Sequence, residues 1–124
     1  MTERTLAREH VQAWMDNYQA AWASNRPEDI GALFTDDARY ETRPHDPHAW
    51  QGREGIVDGW LAARDEPGDW TFSWELLGAD GDTAFIQAVT IYSGDRPTYD
   101  NLWVLRLDPA GRAAAFTEWF MERG

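Results

Sequence analysis

The sequence predicts an α+β fold in one domain over residues 1–124, and three observations carry that reading. Apolar residues recur with helical spacing through much of the first half. They alternate with period two through the second half, between turns rich in Gly, Asp and Pro. Eight tryptophans (Trp14, Trp22, Trp50, Trp60, Trp70, Trp74, Trp103 and Trp119) are spread along the chain, so either they build an unusually aromatic core or several line a cavity that receives something flat and apolar. Each indole can bury roughly 200 Å² and carries one N–H that needs a partner.

The elements follow in order. Residues Thr2 to Ser24 read as a helix, with Leu6, His10, Trp14, Tyr18 and Trp22 on one stripe and Val11, Met15 and Ala21 beside it. Asn25 suits a helix end. Pro27 opens a second, short helix, with Glu28 and Asp29 in the first turn, where acidic groups favour the dipole. That helix carries Ile30, Leu33 and Phe34 and ends at Thr35-Asp36-Asp37. Ala38 to Thr42 reads as a short strand containing Tyr40, and Arg43 to Gly52 as a loop. Arg53 to Arg64 is a third helix, with Ile56, Val57, Trp60 and Leu61 on one face, broken by Glu66-Pro67-Gly68-Asp69. Trp70, Phe72 and Trp74 then alternate with Thr71 and Ser73. Turns at Asp80-Gly81-Asp82, Ser93 to Pro97 and Asp108 to Gly111 separate strands over Thr83–Tyr92, Thr98–Leu107 and Arg112–Met121. The order is α-α-β-α-β-β-β-β, helices first and an antiparallel meander after.

Composition narrows the function classes. The formal charge is −11, which opposes binding to nucleic acid or to anionic membranes and favours neutral or cationic ligands. All eleven basic residues are Arg, so lysine Schiff-base chemistry is excluded. There is no cysteine, which removes disulfides, thiol catalysis and cysteine-bound metals and suits a cytoplasmic location. No segment reads as a membrane span or a secretion signal, and no phosphate-cradling glycine loop or nucleophile elbow is present.

Three groups of words carry a resemblance: Leu33-Phe34-Thr35-Asp36-Asp37-Ala38, Gln51-Gly52-Arg53-Glu54-Gly55-Ile56, and Leu105 to Arg112 followed by Glu118-Trp119-Phe120. With the element order, they resemble the NTF2-like superfamily and, within it, the SnoaL-like proteins. The resemblance implies an NTF2-like cone, a curved antiparallel sheet wrapped around three helices of the N-terminal half, with an apolar pocket open at one end. It also implies a homodimer paired through the outer sheet face. The scaffold serves ketosteroid isomerases, epoxide hydrolases, polyketide cyclases and non-enzymatic binders, so fold alone does not give function.

Residue by residue, the isomerase pattern is incomplete. Its tyrosine position falls on Tyr18, but its base position falls on Thr42 and its acid position on Trp103, so that chemistry is not expected. The epoxide hydrolase pattern needs two carboxylates and an arginine around one water. Strand parity puts Tyr99, Asn101, Trp103, Leu105 and Leu107 towards the pocket, with Phe116, Glu118 and Phe120, and turns Asp100, Arg106 and Trp119 away. Glu118 is then the one pocket carboxylate expected, with a raised pKa if it is buried without a partner.

The expected catalytic groups are therefore Glu118, as acid or base, and Tyr18, as a hydrogen-bond donor. Trp14, Trp22, Tyr40, Trp60, Tyr99, Asn101, Trp103 and Phe116 form the expected pocket lining. The competing reading packs these rings on one another as a filled core. His45, His48 and Trp50 form an expected lid. A metal is not expected there, because the third candidate ligand, Asp46, lies between the two histidines, where geometry is poor. No cofactor is expected. The functional expectation is a small-molecule pocket protein, a cofactor-independent isomerase, cyclase or lyase on an apolar cyclic substrate. The alternative is a ligand-binding or dimerisation module without chemistry.

Overall fold

The computed structural model describes residues 8–43, 45–66 and 68–123. Helix α1, Arg8–Ser24, buries Val11, Trp14, Met15, Tyr18 and Ala21, the three-and-four spacing of one helix face. The expected beginning of that helix, Thr2 to Ala7, lies outside the described residues. It stops at Asn25, which adopts φ 53° and returns its N–H to the Ala21 carbonyl at 2.7 Å. Pro27 then opens α2, Pro27–Gly31, where its missing N–H costs nothing.

Strand β1 spans Phe34–Glu41, so Leu33 and Phe34 leave the second helix earlier than expected. The reason is non-local: the Ala113 N–H donates to the Leu33 carbonyl at 2.7 Å, and Phe34 is in register with Ala113. A two-residue strand β2, Trp50–Gln51, pairs with β1 and is too short to show in the hydrophobic pattern. Helix α3, Gly52–Ala62, follows, and then the meander β3, Trp70–Asp80; β4, Thr83–Tyr92; β5, Thr98–Leu107; and β6, Ala113–Glu122.

The six strands form one curved, unclosed sheet in the order β2-β1-β6-β5-β4-β3. The sheet is mixed, not antiparallel throughout, because β1 runs parallel to β6. Helix α3 carries the chain from one sheet edge to the other, and an odd number of hairpin reversals then brings β6 back alongside β1 in the same direction. The fold is the expected α+β cone, with three helices against the concave face.

Strand alternation sorts the side chains. On β4, Ala84, Ile86, Ala88 and Thr90 are buried while Phe85, Gln87 and Ile91 are exposed. Asn101, Trp103, Leu105 and Leu107 are buried on β5. A bulge between Leu76 and Gly78 leaves Leu77 unpaired and 53% exposed. Beneath the helices the core is aromatic. The Trp103 ring lies 4.9 Å from those of both Tyr18 and Phe116 and 5.1 Å from Phe72, and Trp14 lies 5.5 Å from Phe116.

Candidate functional site

Above this core the cone stays open as a cavity of about 280 Å³. Each element contributes for a local reason. The helical stripe of α1 brings Tyr18 and Trp22, and Trp60 comes from the buried face of α3. Inward parity brings Tyr40 from β1, Thr90 and Tyr92 from β4, Tyr99 and Asn101 from β5, and Glu118 and Phe120 from β6. Trp50 enters from β2. Its ring lies so close over Gly59 of α3 that a Cβ there would approach it to 2.3 Å, which is why a glycine occupies that turn.

The expected lining is thus divided. Tyr18, Trp22, Tyr40, Trp60, Tyr99 and Asn101 reach the cavity, whereas Trp14, Trp103 and Phe116 are sealed in the core below it. Rings of the aromatic stripe thus lie at two depths, some at the cavity and some in the core. The Trp14 N–H donates to the Leu33 carbonyl at 3.0 Å, while the Trp103 N–H is buried without a partner among the described residues.

At the inner end a chain of three oxygens joins helix and sheet. The Tyr40 hydroxyl donates to Glu118 Oε1 at 3.2 Å, and the hydroxyls of Tyr18 and Tyr40 are 3.2 Å apart. With the Tyr40 hydrogen committed to Glu118, the Tyr18 hydrogen goes to Tyr40. Tyr18, expected to donate to a ligand oxygen, therefore has its hydrogen directed to Tyr40 instead. Burial pushes the Glu118 carboxyl up to about 7, the Tyr40 hydrogen bond opposes that rise, and the Asp65 charge adds to it. Burial, reinforced by the Glu118 charge, holds both phenols well above their ordinary range, so they stay protonated. Beside them the Asn101 amide donates to the Thr90 hydroxyl at 2.9 Å.

A second polar cluster at the cavity wall was not legible in the sequence. Asp65, just beyond α3, accepts from the Trp22 indole at 3.0 Å, the Tyr92 hydroxyl at 3.1 Å and Arg96 at 3.2 Å. The Asn25 amide donates to the Asp65 backbone carbonyl and accepts from the Trp60 indole. Arg96 also lies 3.9 Å above the Tyr92 ring. Burial, then the Asp65 charge, raises the Tyr92 pKa. Periodicity gives no signal for Asp65, because it lies between two regular elements. A second carboxylate, Asp65, and two arginines, Arg64 and Arg96, thus line the cavity with Glu118, where strand parity provides one acid.

The expected lid splits as well. Trp50 lines the cavity, 4.8 Å from the Tyr40 ring. His45, at φ 57°, and His48 are exposed and do not line it; Pro44 lies outside the described residues. Asp46 is turned inward, held below the usual carboxylate range by the His48 N–H and then by Thr42. Thr42, at the isomerase base position, is an exposed residue bonded to Asp46. No three acidic or histidine side chains cluster as a metal site among the described residues, and no helix among them is long and apolar enough to cross a membrane.

The family model for the SnoaL-like domain matches residues 11–116. No curated protein matches the chain by sequence. Among solved structures, a proposed ketosteroid isomerase from Kribbella flavida DSM 17836 is 25% identical with TM-score 0.69, covering 94% of this chain and 81% of that one. An LEH-like epoxide hydrolase from M. tuberculosis is 17% identical with TM-score 0.63, covering 91% and 84%. SalBIII, an epoxide hydrolase/cyclase-like enzyme in pyran ring formation in polyether salinomycin, is 14% identical with TM-score 0.68, covering 92% of both chains. With the match over residues 11–116, the chain belongs to the SnoaL-like domain family, and its fold is that of NTF2-like proteins.

Proposed function

We propose that this protein is a cofactor-independent isomerase, cyclase or lyase in which Glu118 moves a proton on an apolar cyclic substrate. One observation carries the reading. A carboxyl poised near neutral pH faces an aromatic cavity, and among the described residues its hydrogen-bond partner is the neutral Tyr40 hydroxyl, with no arginine in an ion pair. A group with a pKa near the working pH both takes and returns a proton efficiently. Tyr40 and Tyr18 hold the carboxylate in place. The second amide hydrogen of Asn101 and the Thr90 hydroxyl orient a polar atom of the substrate. The neighbours described as an epoxide hydrolase and an epoxide hydrolase/cyclase-like enzyme support acid–base work in such a cavity. Asp65 is not assigned a second catalytic role, because three donors already occupy its oxygens. Of the expected lid, Trp50 is the part we retain.

The test is tryptophan-fluorescence titration with polycyclic, terpenoid and steroid-like ligands, followed by turnover assays on those that bind. We expect saturable quenching, turnover that follows deprotonation of a group near pH 7, and loss of turnover with retained binding in Glu118→Gln. Turnover unchanged in that variant would remove Glu118 from the mechanism. Binding without turnover across the panel would favour the ligand-binding alternative, and no binding at all would favour a dimerisation module.

We also propose a homodimer through the outer sheet face, in a cytoplasmic protein. Phe85 is in register with Val104, Gln87 with Leu102, and Leu102 in turn with Trp119. Phe85, Ile91 and Met121 are exposed on this face, and an apolar face of this kind is a liability on a monomer.

A further inference from the structure

The hydrogen atoms around Glu118 restrict what can sit beside it. The Tyr18 hydrogen is committed to Tyr40 and the Tyr40 hydrogen to Glu118. Once Glu118 is ionised, the inner end offers its second oxygen, the free lone pairs of Tyr18 and the Asn101 carbonyl as acceptors. Two neutral donors remain, on Asn101 and Thr90. Two arginines also line the cavity, both of them exposed residues and neither in an ion pair with Glu118. Arg96 is bound to Asp65, with Asp69 at 3.9 Å, and Arg64 donates to the Leu61 carbonyl. Around these acceptors stand the rings of Trp22, Trp50, Trp60, Tyr92 and Tyr99, whose faces carry negative potential. The cavity wall already uses this property, with the Arg96 guanidinium over Tyr92. The chain's net charge of −11 adds a field of the same sign.

We propose that the substrate of this cavity is an apolar ring bearing a positive charge on nitrogen, with that charge against the Glu118 carboxylate and the surrounding aromatic rings. The inference rests on Glu118 being the working group of the pocket, and it names the substrate class for that group. The chemistry is consistent. When Glu118 takes a proton from carbon adjacent to a C=N⁺ bond, the C–H pair becomes a C=C bond. The former C=N π pair becomes a lone pair on neutral nitrogen. No oxyanion forms, so neutral donors suffice. Besides burial, the groups that set the ionisation of Glu118 are Tyr40 on β1 and Asp65 beyond α3, the latter bound to Arg96; Tyr18 on α1 and Tyr92 on β4 also face it and stay neutral, their pKa values raised in part by its charge.

The experiment compares phenyltrimethylammonium with its neutral isostere tert-butylbenzene, by tryptophan quenching of the wild-type chain and of Glu118→Gln at about pH 8 and about pH 5.5. We expect the cation to bind about tenfold more tightly than the isostere at the higher pH. The preference should shrink at the lower pH, as Glu118 takes up its proton, and be lost in Glu118→Gln. Equal binding of both probes to the wild-type chain at the higher pH would overturn the cation assignment while leaving the pocket reading in place. Quenching by neither probe would overturn both. The wild-type comparison at two pH values decides the question even if the variant fails to fold.

Discussion

Glu118 sits on a strand between Thr117 and Trp119, and period-two alternation places it on the face shared with Phe116 and Phe120. What alternation does not give is depth, and depth sets its proton affinity. Because the folded pKa lies near 7 and the ordinary value is 4.5, the folded state holds more protons than the unfolded state between those values. This group's contribution to stability therefore falls as pH rises from about 4.5 to about 7, by up to about 3 kcal/mol in all. Glu118→Gln should accordingly gain stability relative to the parent through that window and hold the gain above it, as read by denaturant unfolding at a series of pH values; a constant gap would contradict the raised pKa. Tyr40→Phe removes the hydrogen bond that lowers the Glu118 pKa, so the midpoint of any Glu118-dependent titration should move upward. Asp65→Ala leaves the Trp22 and Tyr92 donors without their acceptor and should cost about 1–3 kcal/mol in denaturant unfolding.

At the scale of elements, start signals were more legible than stop signals. Pro27, Glu28 and Asp29 mark where α2 begins, but nothing within Ile30 to Asp37 announces that Phe34 already belongs to a strand, because its partner Ala113 is far along the chain. The same distance hid the parallel pairing of β1 with β6. The two-residue β2 falls within the stretch whose composition reads as loop, yet it sets Trp50 over Gly59. Gly59→Ala should therefore displace that ring, destabilise the chain by about 1–3 kcal/mol and change ligand quenching in the cavity. Unchanged stability would mean that Trp50 has room to turn aside.

At the scale of the molecule, the two faces of one sheet carry different side chains. The concave face carries the aromatic core and the cavity. The convex face carries Phe85, Leu102, Val104 and Trp119, side by side in the strand register. A single charge there, such as Trp119→Glu, should convert a dimer into a monomer in sedimentation equilibrium while ligand quenching persists. A wild-type chain that is monomeric at micromolar concentration would end the dimer proposal.

The sequence by itself determined the α+β class, the superfamily, the helix and strand faces, and Glu118 as the carboxylate of the pocket strand, because each depends on local periodicity or on short words. Only the tertiary structure decided which rings line the cavity and which fill the core. It also committed the Tyr18 hydrogen to Tyr40 and brought Asp65 to the cavity wall with Trp22, Tyr92 and Arg96. These outcomes depend on depth along the cone and on contacts between residues distant in the chain, and no periodicity records either.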